Sequence, residues 1–243
     1  ENFSSLKLQI NPTAKIVSGQ ELHTSSVVYS WVNQLIEGKE SFVRSKTIGK
    51  TKLKRPFRVL DIYKGSPKNK PVLVLITRQH PPEVTGYFAF QAFLSTILEE
   101  NKLTSSFLDH YRILAFPLMN PDGVDLGHWR HNAGGVDTNR DWSFYHQPEI
   151  KTTVDYITQV LKKNNSKLVL GLDFHSTWYD VFYTNKERKS TAFPEFSPKW
   201  FSALEQNIPN YKVNEKSRNS TKPVSKGWFL YGHNAWSYLR DWR

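Results

Sequence analysis

Five consecutive apolar residues, Val72 to Ile76, stand between Pro71 and the polar Thr77, Arg78 and Gln79. So short and uniform a run reads as a strand buried on both faces, because a strand with one wet face alternates polar and apolar side chains. A helical pattern follows from Val84 to Asn101. Tyr111 to Leu118 and Lys167 to Phe174 repeat the buried-strand signal, and Glu149 to Lys163 between them reads as a helix. This alternation predicts an α/β fold with a mixed, mostly parallel central sheet and helices on both faces.

The remaining segments fill in that plan. From Thr24 to Glu37, Val28, Trp31, Val32, Leu35 and Ile36 fall at helical spacing, with Gly38 as a stop. Ser41 to Ile48 and Pro56 to Tyr63 read as an edge hairpin. Val181 to Thr184 reads as a short strand, and Ser197 to Ile208 as a helix with Ser197 as N-cap and Pro198 in its first turn. No internal repeat, low-complexity tract or Gly/Ser/Pro-rich linker divides the chain, so residues 1–243 are expected to form a single domain.

Composition narrows the chemistry. There is no cysteine, so a metal would have to be held by His, Asp or Glu, which favours zinc or a harder ion. The net charge is +11, from 33 Lys and Arg against 22 Asp and Glu. These basic residues are scattered (Lys50, Lys52, Lys54, Arg55; Lys64, Lys68, Lys70; Lys186, Arg188, Lys189), which reads as solvated surface rather than a nucleic-acid interface. No apolar run is long enough to span a bilayer. The chain opens at Glu1 without Met, which leads us to expect a trimmed leader and an exported protein, periplasmic or extracellular.

Open α/β sheets place their binding crevice where strands end. His80 lies just past the strand ending near Ile76, Glu83 stands three residues on where Pro81 and Pro82 lead into a helix, and His175 follows the strand ending at Phe174. Two His and one carboxylate with an open fourth position suit a catalytic zinc. Spacing alone does not decide this, since His146 and Glu149 repeat it. That pair follows Trp142 and Tyr145 in an expected loop and reads as surface. Glu83 would also serve simply as an acid in the first turn of a helix.

Three longer segments carry more information: RQHPPEVTG at Arg78 to Gly86, NPDGVDLGHWRHNAGGVDTNRDW at Asn120 to Trp142, and LDFHSTW at Leu172 to Trp178. In order and spacing they resemble the zinc and substrate motifs of the M14 metallocarboxypeptidases. The resemblance implies one zinc ion per chain on His80, Glu83 and His175, with Arg130 polarising the scissile carbonyl. It implies that Asn139 and Arg140 hold the substrate's terminal carboxylate, that Asp137 hydrogen-bonds the first His ligand, and that Tyr231, with Tyr238 as a rival, lies over the substrate. A guanidinium is a planar, permanently charged fork suited to both arginine roles. The simpler reading of Arg130 and Arg140 is a surface ion pair with Asp125, Asp137 or Asp141, and Asn120 to Gly123 would by itself make only a strand-ending turn.

The implied activity is zinc-dependent hydrolysis of C-terminal peptide bonds, in a peptide or cell-wall peptide with a free C-terminal carboxylate. A zinc-dependent deacylase of small acylated amino acids would use the same ligands. The chain departs from the family at Pro82, where digestive members carry an arginine, and at Asp141, whose charge beside Arg140 is expected to alter the accepted terminal residues. The family's general-base glutamate has no match, since Glu195, Glu205 and Glu215 read as lying in a loop, a helix and an exposed polar stretch. The expectation is therefore that the family's C-terminal strand and helix lie beyond Arg243, or else that the molecule binds zinc and peptide without turnover.

Overall fold

The computed structural model describes residues 5, 7, 9, 12–13, 18–186, 188–189 and 191–218. Its main sheet has five strands in the order β1 (Val43–Lys50), β2 (Pro56–Ile62), β4 (Arg112–Phe116), β3 (Val72–Thr77), β5 (Leu168–Phe174). Pairing is antiparallel across β1, β2 and β4 and parallel across β4, β3 and β5, so the sheet is mixed and β1–β2 is an edge hairpin. A second, two-stranded parallel sheet joins β6 (Phe182–Asn185) to β7 (Glu215–Arg218). Glu215, expected in an exposed polar stretch, therefore begins a strand.

Side-chain alternation along β3 divides the interior. Leu73 and Leu75 pack with Val28, Tyr87, Phe90 and Leu94 from the helices α1 (Ser25–Ile36) and α2 (Val84–Ile97). Val72, Val74 and Ile76 point the other way, into Trp142 and the apolar stripe Ile150, Val154, Ile157 and Val160 of α5 (Pro148–Asn164). That stripe has the spacing of one helical face. Every residue of β3 is buried, as its continuous apolar sequence demands.

Local chemistry sets the helix ends. The Thr24 hydroxyl accepts from Val27 N at the start of α1. Asn165, in the left-handed region at φ 50°, closes α5. The helical pattern from Val84 breaks at Ile97, and a separate helix α3 (Lys102–His110) starts from Asn101, whose side chain and that of Thr104 form a reciprocal capping box. Helix α6 (Phe196–Asn207) begins one residue before Ser197. Its cap position is Glu195, without a side-chain cap bond, so Ser197 is not the N-cap. Pro121–Asp125, expected as a turn, forms a short helical turn, α4.

From β3 the chain crosses through α2 and α3 to β4 on one side, and later returns through α5 to β5 on the other. The C-terminal ends of β3 and β5 therefore meet at a topological switch point, the usual crevice of such sheets.

Candidate metal centre

β3 ends at Thr77, and Arg78, at φ 57°, turns the chain out of the sheet. His80 follows in the turn that leads through Pro81 and Pro82 to Glu83, at the cap position of α2. His175 comes directly after β5. The first turn of α2 sits on that strand exit: Gly86 N and the Thr85 hydroxyl both donate to Ser176 Oγ, at 2.9 and 2.6 Å. A Cβ on Gly86 would stand 2.5 Å from the His175 carbonyl oxygen, so only glycine lets the two backbones approach this closely.

The contact brings three ligand groups together. One atom each from His80, Glu83 and His175 lie within 4.8 Å of one another. The two carboxylate oxygens of Glu83 divide between the rings, Oε1 at 2.8 Å from His80 Nδ1 and Oε2 at 2.6 Å from His175 Nδ1. Each ring turns its Nε2 to a carboxylate of its own, Asp137 at 3.0 Å for His80 and Asp173 at 2.8 Å for His175. This geometry fits a zinc ion: both Nδ1 atoms and one carboxylate converge, while the far nitrogens are held by carboxylates that keep the rings oriented.

Electrostatics agree. Burial would raise the Glu83 carboxyl, but hydrogen bonds from His175 and His80 overcome it and hold it at about 2. Burial would lower His175, yet the Asp173 charge and its hydrogen bond, with Glu83, raise it to about 10. His80 is raised against its own burial by bonds to Asp137 and Glu83. Burial acts upward on Asp137 as well, but His80 and Arg130 hold it far below the usual carboxylate range. Carboxylates on both sides of each imidazole favour its protonated form.

Asp137 gathers the arginines. Arg130 Nε donates to its Oδ2 at 2.6 Å, and Arg140 Nη1 lies 3.9 Å from the same oxygen. The simpler reading of an ion pair with Asp137 is thus realised for Arg130, while Asp125 is instead taken by Arg55. Asn139 Nδ2 lies 3.2 Å from His175 Nε2. Arg140 is 45 % exposed, and burial together with the nearby Arg130 charge outweighs Asp137 and lowers its pKa. Two guanidiniums thus stand near one carboxylate beside the ligands.

Several expectations need correction. Asp141 is buried and accepts from Gln147 N at 2.7 Å, so its charge is used to tie a loop. Glu149, expected on the surface with His146, is buried and accepts from Asn132 Nδ2 at 3.1 Å, whereas His146 is exposed. Asp122 of the Asn120 to Gly123 segment is buried and accepts from Thr51, Leu53 N and Arg55. Glu205 does lie in a helix, α6, as expected, and accepts from Val213 N, while Glu215 pairs with Arg188. Tyr231 and Tyr238 lie outside the described residues. Sequence reasoning did not single out Gln79 or Asp173, although Asp173, two residues before His175 on a strand, shares its face by simple alternation.

Comparison with known proteins places this geometry. The family model described as zinc carboxypeptidase matches residues 28–235, and the chain belongs to that family. It is 29% identical over 172 residues to a putative zinc carboxypeptidase of Plasmodium falciparum, a match covering 63% of this chain and 10% of that protein. It is 25% identical over 163 residues to cytosolic carboxypeptidase 6 of Caenorhabditis elegans, covering 63% of this chain and 35% of the relative. The fold superposes on a putative carboxypeptidase A from Shewanella denitrificans with a TM-score of 0.69 at 21% identity, covering 86% of this chain and 57% of that one. The chain thus spans only part of the length of these relatives.

Proposed function

We propose that His80, Glu83 and His175 hold one zinc ion per chain and that the site hydrolyses the C-terminal bond of peptides with a free terminal carboxylate. The observation that carries this reading is the single carboxylate of Glu83 meeting the Nδ1 atoms of both rings while each Nε2 is anchored on another carboxylate. Zinc, when bound, supplies Lewis acidity that acidifies water and polarises a carbonyl. Asp137 and Asp173 hold the two rings. Arg130 spends one of its five N–H groups on Asp137, which leaves donors for a carbonyl oxygen that gains negative charge. Asn139 lies beside His175 and Arg140 beside Asp137, and an amide with a guanidinium suits a terminal carboxylate.

Elemental analysis after dialysis should find about one zinc per chain, falling to background in His80→Ala and His175→Ala but not in His146→Ala. Arg140→Ala should weaken cleavage of free-carboxylate peptides by about 1.5–3 kcal/mol, the worth of a hydrogen bond to a charged group. C-terminal amidation should weaken cleavage by wild type to a similar degree. Equal turnover of free and amidated peptides would defeat the carboxypeptidase reading while leaving the metal site standing.

A further inference from the structure

Gln79 directly precedes His80, has no exposed surface, and carries no role in the chemistry described so far. Its side chain makes two short directed contacts, and its Nε2 also stands 3.4 Å from His175 Nε2, the nitrogen that faces Asp173. Oε1 accepts from Trp142 Nε1 at 2.8 Å, and Nε2 donates to Asp173 Oδ2 at 2.8 Å. The oxygen and nitrogen of an amide are exchangeable by a flip, but an indole N–H only donates, so Trp142 fixes which end of the amide is oxygen. The amide NH2 is thereby directed at Asp173. Asp173 Oδ2 accepts from both Gln79 and His175 Nε2, while its other oxygen, Oδ1, is buried without a partner. The orientation of that carboxylate therefore depends on the one oxygen the two residues share.

The backbone of Gln79 is held as tightly. Its carbonyl accepts from Thr138 Oγ1 at 3.1 Å and Asn120 Nδ2 at 3.2 Å. Thr138 follows Asp137, the partner of His80, so one residue is tied to the supports of both rings.

We propose that Gln79 is a positioning residue for the metal centre: acting through Asp173, with its amide direction set by Trp142, it aims His175 Nδ1 at the point shared with Glu83 and His80. A residue of this kind touches neither metal nor substrate. It reduces the freedom of the second ring, which comes from a different strand and has no covalent tie to the segment of His80 and Glu83. The indole therefore acts on ligand geometry from the opposite core, where it is packed with α5.

The inference rests on the zinc reading of the site, and zinc affinity measured by chelator competition separates the two. Gln79→Met keeps the bulk and removes both hydrogen bonds, and it should lower affinity about 10–100-fold, as the loss of outer support to a ligand does. Trp142→Phe, which lets the amide turn, should lower it in the same direction by less. The deciding measurement is a cycle with Asp173→Ala. If Gln79 acts through Asp173, adding Gln79→Met to Asp173→Ala should change affinity by less than about twofold. A general packing role would instead give losses that multiply, together with a lower melting temperature of the metal-free protein. Multiplying losses, or zinc affinity within about twofold of wild type in Gln79→Met, would overturn the proposal. Should Gln79→Met fail to fold, the same cycle with Trp142→Phe decides. A wild-type chain that takes up no zinc would bring down the metal reading itself.

Discussion

Two of the buried charge clusters among the described residues are balanced in opposite ways. At Asp61, fully buried on β2, one carboxylate is met by two cations: Arg112 in a fork, Nε to Oδ1 at 2.7 Å and Nη2 to Oδ2 at 2.8 Å, and Lys46 at 2.7 Å. At the strand ends, three carboxylates, Glu83, Asp137 and Asp173, surround two imidazoles. The first cluster is closed, because two cations already answer its one carboxylate. In the second, Arg130 answers Asp137, but Glu83 and Asp173 face only the imidazoles and are balanced only while the rings keep extra protons. Burial and ion pairing alone do not distinguish a structural pair from a metal site; the sign of the remaining charge does.

The sharpest way to break this contrast is Arg112→Met. It leaves Asp61 as a buried, half-compensated charge, and urea unfolding should show a loss on the order of 3–5 kcal/mol. Zinc stoichiometry should not change. Loss of zinc would mean that the two clusters are coupled and the contrast is false.

A graded effect should come from pH. His175 has its pKa raised from 6.5 to about 10, so its contribution to the stability of the metal-free protein is fully present below pH 6.5 and is lost as pH rises through about 10. Asp61 is held below its ordinary value by Arg112 and Lys46, against burial that would raise it. Its contribution is present above the unfolded value of 3.8 and is lost as pH falls. Melting temperatures of the metal-free chain should therefore fall between pH 6.5 and 10, and saturating zinc should remove that alkaline decline, because the ligating nitrogens then carry no proton to lose. A flat alkaline profile without metal would contradict the charge balance drawn here.

The smallest effect belongs to Lys46, whose side chain is 43 % exposed. Lys46→Met should cost less than about 1 kcal/mol, since a water-exposed partner adds little once Arg112 is in place. A cost equal to that of Arg112→Met would show that Asp61 depends on both cations equally.

Much of this was legible in the sequence, for identifiable reasons. β3 is legible because five apolar residues in a row have few uses other than a doubly covered strand, and its end makes His80 and Glu83 candidates, which the motif resemblance then selects over His146 and Glu149. Helix α3 did not, because its face is thin: Thr104 and Leu108 are buried while Leu103 is exposed, and only the Asn101–Thr104 cap marked its start. Glu149 was misjudged because its partner Asn132 lies 17 residues upstream in a loop whose path no periodicity reveals. Gln79 looked like an ordinary residue after a strand. Its importance depends on Trp142, 63 residues away, and on Asp173, 94 residues away, which only the sheet topology brings together.

The closest approach of backbones at the site, Gly86 against the carbonyl of His175, works as a fixed gauge. No side chain lies in that gap, so nothing there can be lengthened, shortened or rotated to retune the spread of the two imidazoles. The interval is kept as long as the first turn of α2 rests on the end of β5. Any substituent on Gly86 would act as a shim, wedging Glu83 away from His175 by the thickness of whatever was inserted. An engineer wishing to open the site to a larger ion would therefore find one adjustment screw, and it is an atom that glycine does not have.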